Sequence, residues 1–347
     1  MPAAHQPADS FTVQTLSADY WTARQLYEKG EYKQALKLLS RAARYYPQAQ
    51  HLLSDMYLNG LGVEKDVQKA FDLMYEAAFR EFIPALYGLG YYYENGLGTE
   101  KDIGRAIHWY KRAARAKYID ARLALGRIYF EGADGVERDS RQAILWYERA
   151  AEYNSTRAQF NLGMIYQKGF GVEPDPEKAF HYYELAAHGD DPKSCHYLAL
   201  ALLIGEGVER NCIEALSWFE RAAELGYRDA MLKLAIIYHT GDCVEVDLSE
   251  AAAWYQKAAD LGDAIAQCAL GEFYLTGTGV EQDLLKAMEL LRKSAEMGYA
   301  PALYCLGVVY LQGIGVDRDE EKAIQLFRRA AELGSPEAEK ALAGLER

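Results

Sequence analysis

The sequence predicts an all-α protein, an α/α solenoid of about nine helix pairs followed by a C-terminal capping helix. Three observations carry this prediction: a motif that returns at fixed spacing, helical periodicity within each period, and cap residues where helices should start. The string GLGVEKD at Gly60–Asp66 returns as GLGTEKD from Gly96, GADGVERD from Gly132, GFGVEPD from Gly169 and GEGVERN from Gly205. It returns again as GDCVEVD from Gly241, GTGVEQD from Gly277 and GIGVDRD from Gly313. The copies lie 36 residues apart, with one spacing of 37 that absorbs an insertion between Gly132 and Asp139. A period of this length means stacked supersecondary units, so one repetitive array replaces the two domains that 347 residues alone would suggest.

Each period reads as two helices. The first carries a small residue (Ala85, Ala121, Ala158), a Leu four later (Leu89, Leu125, Leu162), Gly or another small residue directly after, and Tyr three further on (Tyr93, Tyr129, Tyr166). Offsets of four, five and eight share one helical face. Gly in a helix interior costs about 1 kcal/mol against Ala. Its recurrence at Gly90, Gly126, Gly163, Gly271 and Gly307 therefore needs a cause, and close approach of a neighbouring helix is the simplest one.

The second helix follows A-x-x-W/Y-Y/F-x-x-A-A, as in Ala106, Trp109, Tyr110, Ala113, Ala114. Asp66, Asp102, Asp139, Asp175, Asn211, Asp247, Asp283 and Asp319 precede it, where a side-chain oxygen can accept a free backbone N–H. Pro176 occupies the first helical position, which suits a residue with no N–H. Gly189, Gly226, Gly262, Gly298 and Gly334 are expected to end these helices in the left-handed conformation. The expected organisation is a flexible tail over 1–12, an atypical first repeat over 13–48 with the short loop KGEYKQA, eight regular repeats over 49–334, and the capping helix over 335–347.

Composition narrows the function. The net charge of −13 argues against nucleic acid as a partner. The longest apolar stretch, near Leu198–Ile204, is far too short to span a bilayer, so no membrane insertion is expected. Met1–Ser10 has no apolar signal-peptide core, and a cytoplasmic location is expected, with the periplasm as the alternative if a leader has been removed. Five cysteines without a CxxC pair (Cys195, Cys212, Cys243, Cys268, Cys305) suggest thiols rather than a disulfide framework or zinc site.

The unit A-x(3)-L-G-x-x-Y-x-x-G-x-G-V-x-x-D-x(3)-A-x-x-W-Y-x-x-A-A resembles the Sel-one-like repeat, a branch of the tetratricopeptide-repeat superfamily, over residues 19–347. The opening KGEYKQAL resembles an ordinary tetratricopeptide repeat. The resemblance implies a right-handed superhelix with first helices on the concave side, and a bacterial adaptor or scaffold that binds another protein. It also offers two alternatives: an immunity-type inhibitor of a secreted effector such as a lipase or phospholipase, and a hydrolase of the β-lactam-binding kind.

Residues do little to support an enzyme. The loop acids do not space as calcium ligands, and the G-x-G loops follow helices rather than strands, unlike phosphate cradles. His51, Asp55, Glu94, His196 and His239 are dispersed over six repeats. No catalytic residue, metal, cofactor or small-molecule substrate is therefore expected. The positions the repeat leaves free should face a protein partner in the groove. Three residues before the Gly/Ala column these are His51, Tyr87, Phe160, His196, Leu232 and Tyr304. One residue after it come Asp55, Tyr91, Arg127, Met164, Leu200, Ile236, Glu272 and Val308, and four after it Phe130, Gln167, Leu203 and His239. Charge is uneven as well. Residues 1–174 hold 22 Lys+Arg and 21 Asp+Glu, net +1, whereas residues 175–347 hold 16 and 30, net −14. The acidic half suggests a partner with a basic surface.

Overall fold

A computed structural model describes residues 10–345, with side chains from Ser17 onward. Nineteen helices and no strand occur among them, apart from one antiparallel bridge between Ala133 and Val136 in the loop that carries the inserted residue. The chain divides into two compact units, residues 1–174 and 175–347. The unbroken period carries no signal for this division, although the change in net charge falls at the same place.

The first unit contains α1 (Ser10–Glu28), α2 (Tyr32–Ala42), α3 (Pro47–Asn59), α4 (Val67–Phe79), α5 (Ile83–Asn95), α6 (Ile103–Arg115), α7 (Ile119–Glu131), α8 (Ser140–Ala151) and α9 (Thr156–Lys168). The second contains α10 (Pro176–Ala187), α11 (Pro192–Ile204), α12 (Cys212–Glu224), α13 (Arg228–Thr240), α14 (Leu248–Asp260), α15 (Ala264–Thr276), α16 (Leu284–Glu296), α17 (Ala300–Gln312), α18 (Glu320–Glu332) and α19 (Pro336–Leu345). Within each unit every helix packs on its neighbours in the chain. The tail expected over 1–12 is shortened by the structure, since α1 already begins at Ser10; residues 1–9 lie outside the described residues.

The loops explain the motif. Asp102 Oδ1 accepts the Arg105 N–H at 2.8 Å, and Asp139, Asp175, Asn211, Asp247, Asp283 and Asp319 cap their helices in the same way. The Asp102 backbone N–H in turn donates to the carbonyl of Tyr93 at 2.8 Å, and Asp66 closes on Tyr57, Asp139 on Tyr129 and Asp319 on Tyr310. Asp66, Asp102, Asp139 and Asp319 thus tie their loops to both flanking helices, and no calcium chemistry is needed to explain the recurrence.

The second Gly of G-x-G has a steric cause. A Cβ on Gly98 would stand 2.6 Å from the Val67 carbonyl oxygen, one on Gly207 would meet Pro176, and one on Gly279 would meet Leu248. In each case the obstacle is the first residue of the second helix in the preceding repeat, 31 residues earlier. Position 243 breaks the rule with Cys at a φ of 76°, and the residue 31 before it is Cys212. These two form a disulfide with Cα atoms 5.5 Å apart, which corrects the expectation that all five cysteines are thiols. The period brings the two backbones so close that a side chain fits there by bonding to its opposite number.

The mid-helix glycines answer as expected. A Cβ on Gly126 would lie 2.5 Å from the Tyr147 ring, one on Gly90 2.6 Å from Tyr110, and one on Gly307 2.5 Å from Phe327. Tyr110, Tyr147 and Phe327 of the second helices therefore lie against the glycine of their own first helix.

One cap expectation is corrected. Gly226, Gly262, Gly298 and Gly334 take positive φ, but the equivalent residue one repeat earlier is Asp190 (φ 58°), not Gly189. The left-handed position follows the period rather than the nearest glycine, and upstream it is held by Glu81, Lys117 and Asn154. A non-glycine residue there carries a penalty of about 1 kcal/mol, least for Asn. Lys117→Gly, at φ 65°, should therefore raise stability by roughly 0.5–1 kcal/mol in urea denaturation, reduced by loss of the Lys117 ammonium from the face of Tyr153. A destabilised variant would contradict the assignment.

Candidate functional site

The first unit contains a cavity of about 520 Å³ lined by the first helices of three successive hairpins. Tyr87, Tyr91, Glu94 and Asn95 come from α5; Asp120, Leu123, Ala124, Arg127, Phe130 and Glu131 from α7; Arg157, Asn161, Met164 and Ile165 from α9. Tyr110 from α6 and Tyr147 from α8 enter from beneath. The glycines make this possible. With no Cβ at Gly90 or Gly126, each ring slides under its first helix far enough to reach the cavity. Where the same column pairs Gly271 with Leu291 or Gly307 with Phe327, no hydroxyl is delivered.

The polar side is organised around Glu94. Tyr110 Oη donates to Glu94 Oε2 at 2.7 Å, and the Arg127 guanidinium forms a close ion pair with Glu94 Oε1 while reaching Glu131 at 3.5 Å. Burial, and then the Glu94 carboxylate, push the Tyr110 phenol far up, so it stays a donor at any accessible pH. The Tyr147 phenol is pushed up to about 12, chiefly by burial and next by Glu131. Burial raises Tyr87 too, and its ring lies 5.4 Å from those of Tyr110 and Tyr118. Arg157 is exposed at the rim, and among the described residues it makes no ion pair. Tyr110 has spent its one O–H on Glu94, which leaves the aromatic rings, the Tyr147 phenol and the exposed Arg157 guanidinium to offer a ligand. No nucleophile–base pair is present among these residues.

Five of the sequence-selected positions line this cavity: Tyr87, Tyr91, Arg127, Phe130 and Met164. Phe160 and Gln167 lie on α9, half-buried, outside the lining. His51, half-buried in the same unit, sits against Phe82 with ring centroids 5.7 Å apart, and Asp55 accepts a hydrogen bond from the Tyr27 hydroxyl. In the second unit, Leu200, Leu232, Ile236, Tyr304 and Val308 are half-buried, and the Tyr304 ring lies 5.6 Å from Phe327. His239 is exposed with Nδ1 3.2 Å from the Tyr255 hydroxyl, and Glu272 accepts from the Cys305 thiol at 2.9 Å. His196 is enclosed by Tyr197, Phe219 and Tyr227. Leu203 is a correction: at 4% exposure it belongs to the core of the second unit and offers nothing to a partner. Among the described residues, no two of His51, Asp55, Glu94, His196 and His239 hydrogen-bond to each other.

A model of the Sel1 repeat matches nine times, at 16–44, 47–78, 83–118, 119–153, 156–191, 192–227, 228–263, 264–299 and 300–335. The chain belongs to the Sel1-repeat family, whose fold is a protein-interaction scaffold of the tetratricopeptide-like class. The first match covers the hairpin with the short, tetratricopeptide-like loop. Among solved structures, a protective antigen of uropathogenic Escherichia coli with an SLR fold is 34% identical with a TM-score of 0.81, over 89% of this chain and 67% of that one. A Sel1 repeat protein from Oxalobacter formigenes is 29% identical with a TM-score of 0.73, over 99% and 98% of the two chains. The immunity protein Pa5087 from Pseudomonas aeruginosa is 20% identical with a TM-score of 0.39, over 64% of this chain and 84% of that one. No curated protein matches the chain. Among the described residues, no helix is long and apolar enough to cross a membrane.

Proposed function

We propose that this chain is a non-enzymatic adaptor whose first unit grips a segment of a partner protein in the cavity between α5, α7 and α9. The observation that carries this reading is the cavity itself. Five aromatic side chains line it, its half-buried Glu94 carboxylate is already engaged by Tyr110 and Arg127, and Asp120, Glu131 and Arg157 are exposed. Both oxygens of that carboxylate are taken by protein partners, and aromatic anchors around a preformed hollow are typical binding hot spots. The rim Arg157 favours a segment bearing a carboxylate. The net charge of −14 on residues 175–347 favours a second, basic region on the same partner, with an association rate that falls as salt rises. The Cys212–Cys243 disulfide supports an oxidising compartment, the periplasmic alternative, over the cytoplasm.

A photo-crosslinking side chain at position 91 should join the adaptor to its partner, and the linked peptide should carry an acidic or aromatic residue. Replacing Tyr91, Phe130 and Met164 together by Ala should then abolish partner binding while leaving helicity and melting unchanged. Undiminished binding by that folded triple variant would move the site elsewhere.

A further inference from the structure

The second unit contains a cluster unrelated to the cavity. Cys268 and Glu272 lie one turn apart on α15, on one face of that helix, and Cys305 lies opposite them on α17, which packs directly on α15. Cys268 Sγ is 3.7 Å and Cys305 Sγ 2.9 Å from the same carboxylate oxygen of Glu272, and the three donor atoms lie within 4.8 Å of one another. We propose that Cys268, Glu272 and Cys305 form a binding site for a thiophilic divalent cation of the Zn²⁺ class, with the fourth tetrahedral position left to water.

The donor set argues for that class. Two sulfurs and one carboxylate suit a borderline-soft ion, and hard Mg²⁺ or Ca²⁺ would require oxygens throughout. Metal–sulfur bonds of about 2.3 Å and a metal–oxygen bond of about 2.0 Å place sulfur and oxygen about 3.5 Å apart in a tetrahedron. The Cys268 contact already meets that separation, and Cys305 has to retreat by roughly half an ångström. On binding, each thiol gives its proton to solvent as its metal–sulfur bond forms, and the carboxylate donates a lone pair. The free cluster gathers groups that repel one another when ionised. Hydrogen bonding to Cys268, burial and the Glu272 carboxylate all push the Cys305 thiol far up, and a cation removes that conflict. Position also matters. Cys268 is 3% exposed and Glu272 is open to solvent, so the site has a closed floor and an entry path. The third free thiol in this unit, Cys195, faces only the Ala187 carbonyl at 3.7 Å and offers no comparable set.

The full chain, with its Cys212–Cys243 disulfide intact, is titrated with Co²⁺ and then with Zn²⁺. One equivalent of Co²⁺ should give sulfur-to-metal charge-transfer absorption and the intense visible bands of tetrahedral coordination, both erased by stoichiometric Zn²⁺. Cys305→Ser should abolish the charge-transfer bands or weaken binding at least 100-fold, and Glu272→Gln should weaken it about 10-fold or more. Cys195→Ala should leave both unchanged, and circular dichroism of every variant checks that it is folded. Three results would overturn the proposal: no stoichiometric uptake, unchanged affinity in folded Cys305→Ser, or a Cys268–Cys305 disulfide in protein alkylated at lysis.

Discussion

Leu125→Ala should lower the stability of the first unit by about 2–5 kcal/mol. Leu125 is fully buried and belongs to one contiguous cluster with Leu89, Tyr92, Tyr110, Ile128 and Trp146, drawn from α5, α6, α7 and α8. Its removal opens a cavity shared by two hairpins, and the glycines at positions 90 and 126 hinder collapse. Tyr110 and Tyr147 already rest against those Cα atoms, so the helices have no slack with which to close over the void. A repeat array does not unfold as one cooperative block, so a global midpoint understates the effect. Hydrogen exchange is the better measurement, with protection of α5–α8 amides falling by a factor of 30 or more. A change below about 1 kcal/mol would mean that the Leu column is not the spine of the array.

The fold was legible because its causes are local and repeated. Seven Asp and one Asn at the same offset cap eight helices, and six loop glycines avoid the helix start in the preceding repeat. Each of these positions can be read from residue type and spacing alone. The failures share an origin too, in taking a residue's neighbours along the chain for its neighbours in space. Gly189 looked like a left-handed cap because it is glycine, but the repeat places Asp190 there. Cys212 and Cys243 looked unpaired, though their separation of 31 is the offset at which Gly98 meets Val67 and Gly207 meets Pro176. The rings of Tyr110 and Tyr147 are largely core. A glycine opposite a tyrosine, rather than a phenylalanine, lets a hydroxyl emerge on the far side of the first helix. The identity of the paired residue carries that signal. The groove columns were half legible for the same reason. Tyr87, Tyr91, Arg127, Phe130 and Met164 from those columns line a hollow, but packing decides which residues of a column do so, and Leu203 shows that a column can turn inward.

Acid should weaken the second unit through His196, and His196→Phe should remove that sensitivity. The His196 ring lies 5.4 Å from Phe219 and 5.2 Å from Tyr227, and its Nδ1 is buried without a hydrogen-bond partner. Burial depresses its pKa from 6.5 to about 4; Lys233 adds to the depression, and Asp229 opposes it. The sign follows from linkage. The unfolded chain takes up a proton near pH 6.5 and the folded chain only near pH 4, so the stabilising contribution is complete above pH 6.5 and lost as pH falls between those values. At about 1.4 kcal/mol per pH unit the loss amounts to at most about 3 kcal/mol, a ceiling because part of the ring touches solvent. Carboxylates throughout the chain also titrate in this range, so the comparison must be differential: urea midpoints for wild type and His196→Phe at pH 7.5, 6, 5 and 4. Phenylalanine is the right replacement because Phe160 already occupies the same column one repeat earlier. The variant should match or exceed wild type at pH 7.5, since it buries no orphaned nitrogen, and its advantage should widen steadily to pH 4. Parallel curves would show that the imidazole is protonated in the folded protein, with a water or Asp229 reaching the nitrogen that the packing now leaves unpaired.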